Sequence, residues 1–153
     1  TFEILRRNVY INNLQDKIIT IPCASSSAPG LVPISLECPG NIGGSSMVRP
    51  GSFVNHSPAL PLSCVLDSLE IDRVKLMKID VEGAEMMVLR GAKAILVDSH
   101  PALFVEAHSR DLAREVTEFL RSMNYDVRTL ETGNAPDGLS EPEVCHIVAS
   151  HNE

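Results

Sequence analysis

The chain has 153 residues, which is enough for one domain with a sizeable hydrophobic core. Its formal net charge of −7 argues against nucleic-acid or anionic-membrane partners that bind through charge alone. No apolar run approaches the roughly 20 residues that span a bilayer, and no basic segment precedes an apolar one as in a signal peptide. We therefore expect a cytoplasmic protein with no nucleic-acid or membrane partner.

The first part of the chain predicts a helix followed by a buried strand. Phe2, Leu5 and Val9 have helical spacing, which predicts a helix that ends near Asn12. The segment Lys17–Ala24 is apolar and β-branched, as expected for a buried strand. A loop of small residues follows it.

A hairpin or loop insertion is expected over about residues 30–62. Two short strands, Leu31–Cys38 and Ser46–Arg49, flank a turn that contains Gly40, Gly43 and Gly44. The segment Pro50–Pro61 contains several prolines and polar residues and is predicted to be a loop. The segment Ser63–Leu69 is predicted to be a short strand or turn. Four scattered cysteines, at positions 23, 38, 64 and 145, lack the close pairing of a zinc site, so we expect reduced thiols.

The segment Val74–Ala92 is the most informative part of the sequence. Apolar residues up to Val81 predict a strand, which Gly83 ends, and a helix is predicted from Ala84 to about Val97. Several carboxylates lie where the strand meets the helix. Ligands of open α/β sheets bind next to the carboxyl ends of the strands.

The rest of the chain predicts alternating strands and helices. Ala102–Ala107 is predicted to be a strand, Ser109 the N-cap of a helix that reaches Asn124, and Tyr125–Leu130 a strand. A loop then leads to a last strand, Val144–Ala149. This alternation predicts an α/β domain with a mostly parallel sheet, and the final two strands predict a hairpin with one antiparallel strand at the sheet edge.

Several motifs of the sequence resemble the FkbM family of methyltransferases. They are K-I-D-V-E-G-A-E at 78–85, followed by V-L-R-G-A and P-A-L-F-V-E, together with N-I-G-G-S-S, L-D-S-L and N-V-Y-I-N-N. The resemblance implies a Rossmann-like class I methyltransferase, a three-layer sandwich whose sheet has the strand order 3-2-1-4-5-7-6. It also implies S-adenosylmethionine as cofactor and transfer of a methyl group to a hydroxyl of a small molecule or sugar.

The sequence departs from this family at the cofactor site. Lys17–Ala24 matches strand 3, so strands 1 and 2, with the glycine-rich cofactor loop and the acidic residue that binds ribose, are missing. The glycine-rich segment Gly40–Gly44 opens no helix, and we reject it as that loop. The chain therefore resembles the C-terminal portion of a methyltransferase domain. If Ile19 lay directly beside Ile79, this assignment of strands would be wrong.

The resemblance also implies site residues. Asp80 is the first candidate for a general base or metal ligand, although it could only cap the following helix. Glu82, Glu106 and His108 are further catalytic candidates, and Asp80, Glu106 and His108 could together form a base or a hard-metal site. Glu85 is expected to have a structural role in the first helical turn. No metal is assigned, and the histidines at 56, 100, 146 and 151 are assigned no role.

Other positions are implied for binding. Cys23, Ala24 and Asp80 are candidates for cofactor contacts, and Asn41 and Ser45 for substrate contacts, although a plain turn would explain the last two equally well. The first functional hypothesis is an S-adenosylmethionine-dependent O-methyltransferase. The alternative is a non-catalytic fragment or interaction domain without cofactor binding. A nucleotide-binding enzyme is a distant third, since no G-K-[ST] motif is present. A homo-oligomer is compatible with either hypothesis.

Overall fold

In a computed structural model of the chain, the described residues are 2–36, 45–51, 53–134 and 144–152. Their helices are α1 (Phe2–Ile11), α2 (Leu62–Ser68), α3 (Glu85–Gly91), α4 (Lys93–Asp98) and α5 (Arg110–Arg121). Their strands are β1 (Ala24–Ser25), β2 (Gly30–Leu36), β3 (Ser45–Ser46), β4 (Phe53–Leu60), β5 (Leu76–Ile79), β6 (Ala102–Ala107), β7 (Tyr125–Thr129) and β8 (Cys145–His151).

The C-terminal half forms a four-stranded sheet in the order β5-β6-β8-β7. This order corresponds to the 4-5-7-6 end of the expected strand order. The sheet is mixed and not mostly parallel, because β5 and β6 are parallel while β8 runs antiparallel to both β6 and β7. The predicted C-terminal hairpin is present, but β7 lies at the edge, because β8 inserts between β6 and β7.

The core lies between one face of this sheet and the helices that follow β5 and β6. The strands alternate inward and outward residues, so that Met77 and Ile79 on β5 and Leu103 and Val105 on β6 all face inward. The inward side chains pack with residues of α3, α4 and α5, whose buried members include Leu89, Leu96, Val116 and Leu120. Removal of this apolar surface from water stabilises the half of the chain that carries the candidate site.

The opposite face of the same sheet is an open groove. Strand residues line it, among them Phe104 and Val148, which are half-buried, and Leu76, which is 66% exposed. The described residues thus show helices packed on one face, and they do not confirm the expected three-layer sandwich.

A second sheet, in the order β1-β4-β2-β3, accounts for the region predicted as an insertion. β2 and β4 form a long antiparallel ladder from the pair Gly30 and Ala59 to the pair Leu36 and Phe53. The prediction of a loop at Pro50–Pro61 is therefore wrong. The prolines of this segment suggested a loop, but Pro58 lies near the end of the ladder, opposite Leu31.

The predicted strand Lys17–Ala24 is wrong except for its last residue. Only Ala24 belongs to β1, which pairs in parallel with β4. The exposed fractions of Ile18, Ile19 and Ile21 are 41%, 63% and 38%, so the β-branched side chains of this segment are not buried. Strand propensity depends on a partner strand, and residues 17–23 have none among the described residues. Ile19 does not lie beside Ile79, which pairs with Val105.

Two helix assignments also differ from the predictions. Residues 63–68, predicted as a strand or turn, belong to α2, which begins after Pro61 at its N-cap. The helix predicted from Ala84 to Val97 is divided at Ala92 into α3 and α4. The predicted helix after Ser109 is confirmed as α5, and the Ser109 hydroxyl accepts a hydrogen bond of 3.1 Å from the Leu112 amide. Among the described residues, every helix is too short or too polar to cross a membrane.

The two sheets meet where α3 ends. The Ser26 amide donates to the Leu60 carbonyl at 3.0 Å, which fixes the strand end, and the Ser63 hydroxyl donates to the Gly91 carbonyl at 3.3 Å. A Cβ atom on Gly91 would collide with the Ser26 carbonyl oxygen and would lie 3.3 Å from the Pro61 Cα. Gly91 therefore allows close backbone packing between α3 and the first sheet.

Candidate active site

The turn between β5 and α3 brings three carboxylates to one end of the sheet. Asp80 follows the last residue of β5, Glu82 lies two residues later, and Glu85 opens α3. Glu82 and Gly83 have left-handed backbone angles, with φ of 50° and 99°, which reverse the chain direction. The resulting turn places Asp80 and Glu82 in partial contact with solvent and Glu85 fully inside.

Glu106 and His108 lie at the same end of the sheet on the neighbouring strand. β5 and β6 are parallel, with Ile79 opposite Val105, so their carboxyl ends meet at one edge. His108 immediately precedes Ser109, the N-cap of α5. The imidazole is therefore held between the end of a core strand and the start of a helix, and its side chain is only 5% exposed.

His108 is the centre of the cluster. Its Nδ1 lies 2.7 Å from Glu85 Oε1, which also accepts a hydrogen bond of 3.0 Å from the Gly83 amide. Its Nε2 lies 3.5 Å from Glu82 Oε2, 3.7 Å from Glu106 Oε1 and 4.0 Å from Asp80 Oδ1. One imidazole thus contacts carboxylates from the turn, from the helix and from the neighbouring strand.

The first sheet contributes to the cluster through the residues that follow β3. Arg49 lies 3.2 Å from Glu82 Oε2 and donates to the His108 carbonyl at 3.3 Å. The buried hydroxyl of Ser46 donates to the Glu82 carbonyl at 2.7 Å and accepts hydrogen bonds from the amides of Val48 and Arg49. These contacts fix the turn, and through it the orientation of the Glu82 carboxylate.

The four predicted catalytic residues, Asp80, Glu82, Glu106 and His108, lie together in the structure. Of the predicted binding residues, Asp80 belongs to this cluster, whereas Cys23 and Ala24 do not join it. Cys23 and Ala24 lie at β1, near the Gly91 end of α3, whereas Asp80 precedes the other end of that helix. The structure places Ser45 in β3 with its side chain half-buried. Asn41 lies outside the described residues.

Sequence reasoning missed several members of the cluster. Glu85 was assigned a structural role, although its carboxylate binds His108 directly. Arg49 and Lys78 are not among the predicted site residues. Lys78 begins the motif K-I-D-V-E-G-A-E, whereas no local pattern marks Arg49, which follows β3 of the other sheet. Lys78 Nζ lies 2.8 Å from Asp80 Oδ2, and this hydrogen bond raises the pKa of Lys78 above its ordinary value.

His146 was also assigned no role, but it forms a second imidazole–carboxylate pair at the edge of the cluster. Its Nδ1 lies 2.7 Å from Glu131 Oε1, and its Nε2 lies 3.7 Å from Glu106 Oε2. Burial acts to raise the pKa of Glu131, but hydrogen bonds from the side chain and amide of His146 outweigh it and lower this pKa below its ordinary value of 4.5.

This lowered pKa predicts a pH-dependent contribution to stability. A carboxyl whose pKa is lower in the folded state stabilises the fold above its unfolded pKa, and this stabilisation is lost as the pH falls through the folded pKa. We expect Glu131→Gln to lower the free energy of unfolding at neutral pH, with a difference from wild type that shrinks below about pH 4.5. Urea titrations at several pH values measure the difference, with the exposed Glu115→Gln as control. A difference that does not change with pH would contradict the prediction.

The described residues do not bring the three cofactor candidates, Cys23, Ala24 and Asp80, to one place. The backbone of Ala24 pairs with β4, burial raises the pKa of the nearby Cys23 thiol, and the two residues are separated from Asp80 by the length of α3. The glycine-rich segment 40–44 lies outside the described residues.

The fold and the cluster define a class of protein, an α/β domain with an acidic and imidazole site at the carboxyl ends of two parallel strands. The chain belongs to the FkbM methyltransferase family, because the methyltransferase FkbM domain matches residues 1–127. A crystal structure of methyltransferase FkbM from Methylobacillus flagellatus KT superposes with a TM-score of 0.62 at 17% identity, over 96% of this chain. The chain spans 32% of the length of that structure. No curated protein matches the sequence.

Proposed function

We propose that the chain is part of an S-adenosylmethionine-dependent methyltransferase that methylates a hydroxyl of a small molecule or sugar. One observation carries the proposal. The carboxylates of Asp80, Glu82 and Glu106 all lie within 4.0 Å of the His108 imidazole, next to the ends of two adjacent parallel strands. Membership of a methyltransferase family supports the reaction class.

In such a reaction the cofactor supplies the methyl group, and the protein must position the acceptor hydroxyl and take up its proton. The cluster contains three partly exposed carboxylates that could accept this proton. Asp80 is paired with Lys78 at 2.8 Å and Glu82 with Arg49 at 3.2 Å. Both of these carboxylates are therefore already engaged by a cationic side chain.

Glu106 is better suited to accept the proton. In the described part of the chain, the basic side chains within 4.0 Å of its carboxylate are the imidazoles of His108 and His146, at 3.7 Å each, and not a lysine or arginine. Its side chain is 25% exposed, so an acceptor molecule can reach it. We therefore assign proton acceptance to Glu106, and assign to Asp80 and Glu82 the positioning of the acceptor.

The test uses the protein expressed from its complete reading frame, with labelled S-adenosylmethionine and a panel of sugars and small alcohols. We expect methyl transfer to a hydroxyl, and we expect Glu106→Gln to lower kcat about a hundredfold while the Kd for the cofactor is unchanged, because only proton acceptance is lost. Glu118→Gln, an exposed carboxylate on α5, is the matched control.

Two results would contradict the proposal. Unchanged kcat in Glu106→Gln would remove this residue from the chemistry. Absence of methyl transfer to every hydroxyl acceptor would instead favour the alternative, an interaction domain of methyltransferase fold.

A further inference from the structure

Three side chains of the cluster have the arrangement of a metal site. One ligand atom from each of Asp80, Glu82 and His108 lies within 4.8 Å of the other two. Two ligands of a single ion with bonds of about 2.2 Å can be at most about 4.4 Å apart. His108 Nε2 lies well inside this limit, at 4.0 Å from Asp80 Oδ1 and 3.5 Å from Glu82 Oε2, so small shifts of the two carboxylates would place all three atoms on one ion.

The far side of His108 supports this arrangement. Metal-binding histidines usually donate their other ring N–H to a carboxylate, which fixes the tautomer and the ring orientation. Glu85 Oε1 lies 2.7 Å from His108 Nδ1. A carboxylate accepts hydrogen bonds, so Nδ1 carries a proton, which is the arrangement that an ion bound at Nε2 requires. In the described residues, Nε2 makes no hydrogen bond.

The balance of charge points the same way. Four carboxylates surround the imidazole, namely those of Asp80, Glu82, Glu85 and Glu106, and the permanent cations paired with them are Lys78 and Arg49. The cluster thus contains twice as many carboxyl groups as lysine and arginine side chains paired with them. Moreover, Glu85 is fully buried, and its Oε2 has no hydrogen-bond partner among the described residues. A buried carboxylate requires compensation by a positive charge.

We propose that Asp80, Glu82 and His108 bind one divalent cation, with Glu85 as the carboxylate that orients His108. Two carboxylates and one imidazole suit Mn²⁺, which accepts both oxygen and nitrogen ligands. Asp80 and Glu82 are 40% and 25% exposed, so positions on the ion stay open to a ligand from solvent. An acceptor hydroxyl bound there would lie beside Glu106. This role in methyl transfer rests on the proposed function, whereas binding of the ion does not.

The test is calorimetric titration of the purified chain with Mn²⁺, without cofactor or acceptor, with electron paramagnetic resonance to count bound ions. We expect one site per chain. Asp80→Asn and Glu82→Gln should each raise the Kd at least tenfold, because each removes a charged ligand, while Glu118→Gln should leave it unchanged. Glu85→Gln, which alters only the partner of His108, should raise the Kd by roughly 10- to 100-fold. Thermal unfolding of each variant shows whether it is folded.

No binding at millimolar Mn²⁺ would overturn the proposal. So would binding with the same Kd in the folded Asp80→Asn and Glu82→Gln variants, since the ion would then lie elsewhere. Retained Mn²⁺ binding with no methyl transfer by the complete protein would overturn the proposed function but not the metal site. Methyl transfer that persists in a chelator would overturn the catalytic role of the ion.

Discussion

Gly91→Ala should lower the free energy of unfolding by about 3 kcal/mol or more, and the unfolding midpoint by roughly 6–12 °C for a chain of this size. The added methyl group would collide with the Ser26 carbonyl oxygen. This oxygen cannot move easily, because the Ser26 amide is bonded to Leu60 and its hydroxyl to the Ala28 carbonyl. Alanine ordinarily favours a helix over glycine by up to about 1 kcal/mol, and the clash outweighs that gain.

Gly30→Ala is the matched control for this experiment. Gly30 begins β2, and a Cβ atom built on it meets no atom within 4 Å. The same chemical change should therefore alter the free energy of unfolding by less than about 1 kcal/mol. Equal destabilisation by the two substitutions, measured by denaturant titration, would show that the contact between α3 and Ser26 does not hold the two sheets together.

Glu85→Ala should lower the free energy of unfolding by about 3–5 kcal/mol, because it breaks a buried pair by removing one partner. Glu85 accepts hydrogen bonds from His108 Nδ1 and from the Gly83 amide. Both donors would lose their partner inside the protein, and the truncated side chain would leave a cavity. Denaturant titration near neutral pH measures the loss.

Two further variants define what Glu85 contributes. Glu85→Gln retains the side-chain volume and an acceptor oxygen, so it should lose less stability than Glu85→Ala. Glu118→Ala removes an exposed carboxylate from a helix and should change the free energy by no more than about 0.5 kcal/mol. If Glu85→Ala raised the free energy of unfolding, the prediction would be contradicted, and the buried Glu85 carboxylate would destabilise the fold.

The sequence predicted the C-terminal half of the fold well, because local signals and buried pairing agree there. The strand before Asp80, the strand Ala102–Ala107 and the helix capped by Ser109 are all present. The N-terminal half was predicted poorly. Residues 17–23 have the composition of a strand but no partner strand among the described residues, while β4 contains Pro58 and yet pairs along its length with β2. Pairing between distant segments cannot be read from composition.

The candidate site shows the same division. The sequence could predict that the residues at the ends of β5 and β6 lie close together, because neighbouring parallel strands end at one edge of a sheet. The sequence placed Glu85 in a first helical turn. Its contact with His108 depends on the direction in which α3 leaves the preceding turn, which the sequence does not specify. Arg49 lies 33 residues before Glu82 and follows β3 of the other sheet. His146 lies close to Glu106 because β8 pairs with β6. Such contacts follow from tertiary packing alone.

The position of His108 has a consequence for the thermodynamics of binding. Glu85 contacts the His108 ring through Nδ1, and the His108 carbonyl accepts a hydrogen bond from Arg49. Ser109, the next residue, caps α5. A side chain that is ordered before a ligand arrives loses little conformational entropy when the ligand binds. The His108 side chain already loses its rotamer freedom when the protein folds. A group that binds to Nε2 therefore finds this nitrogen in a fixed orientation, set by contacts that also stabilise the fold.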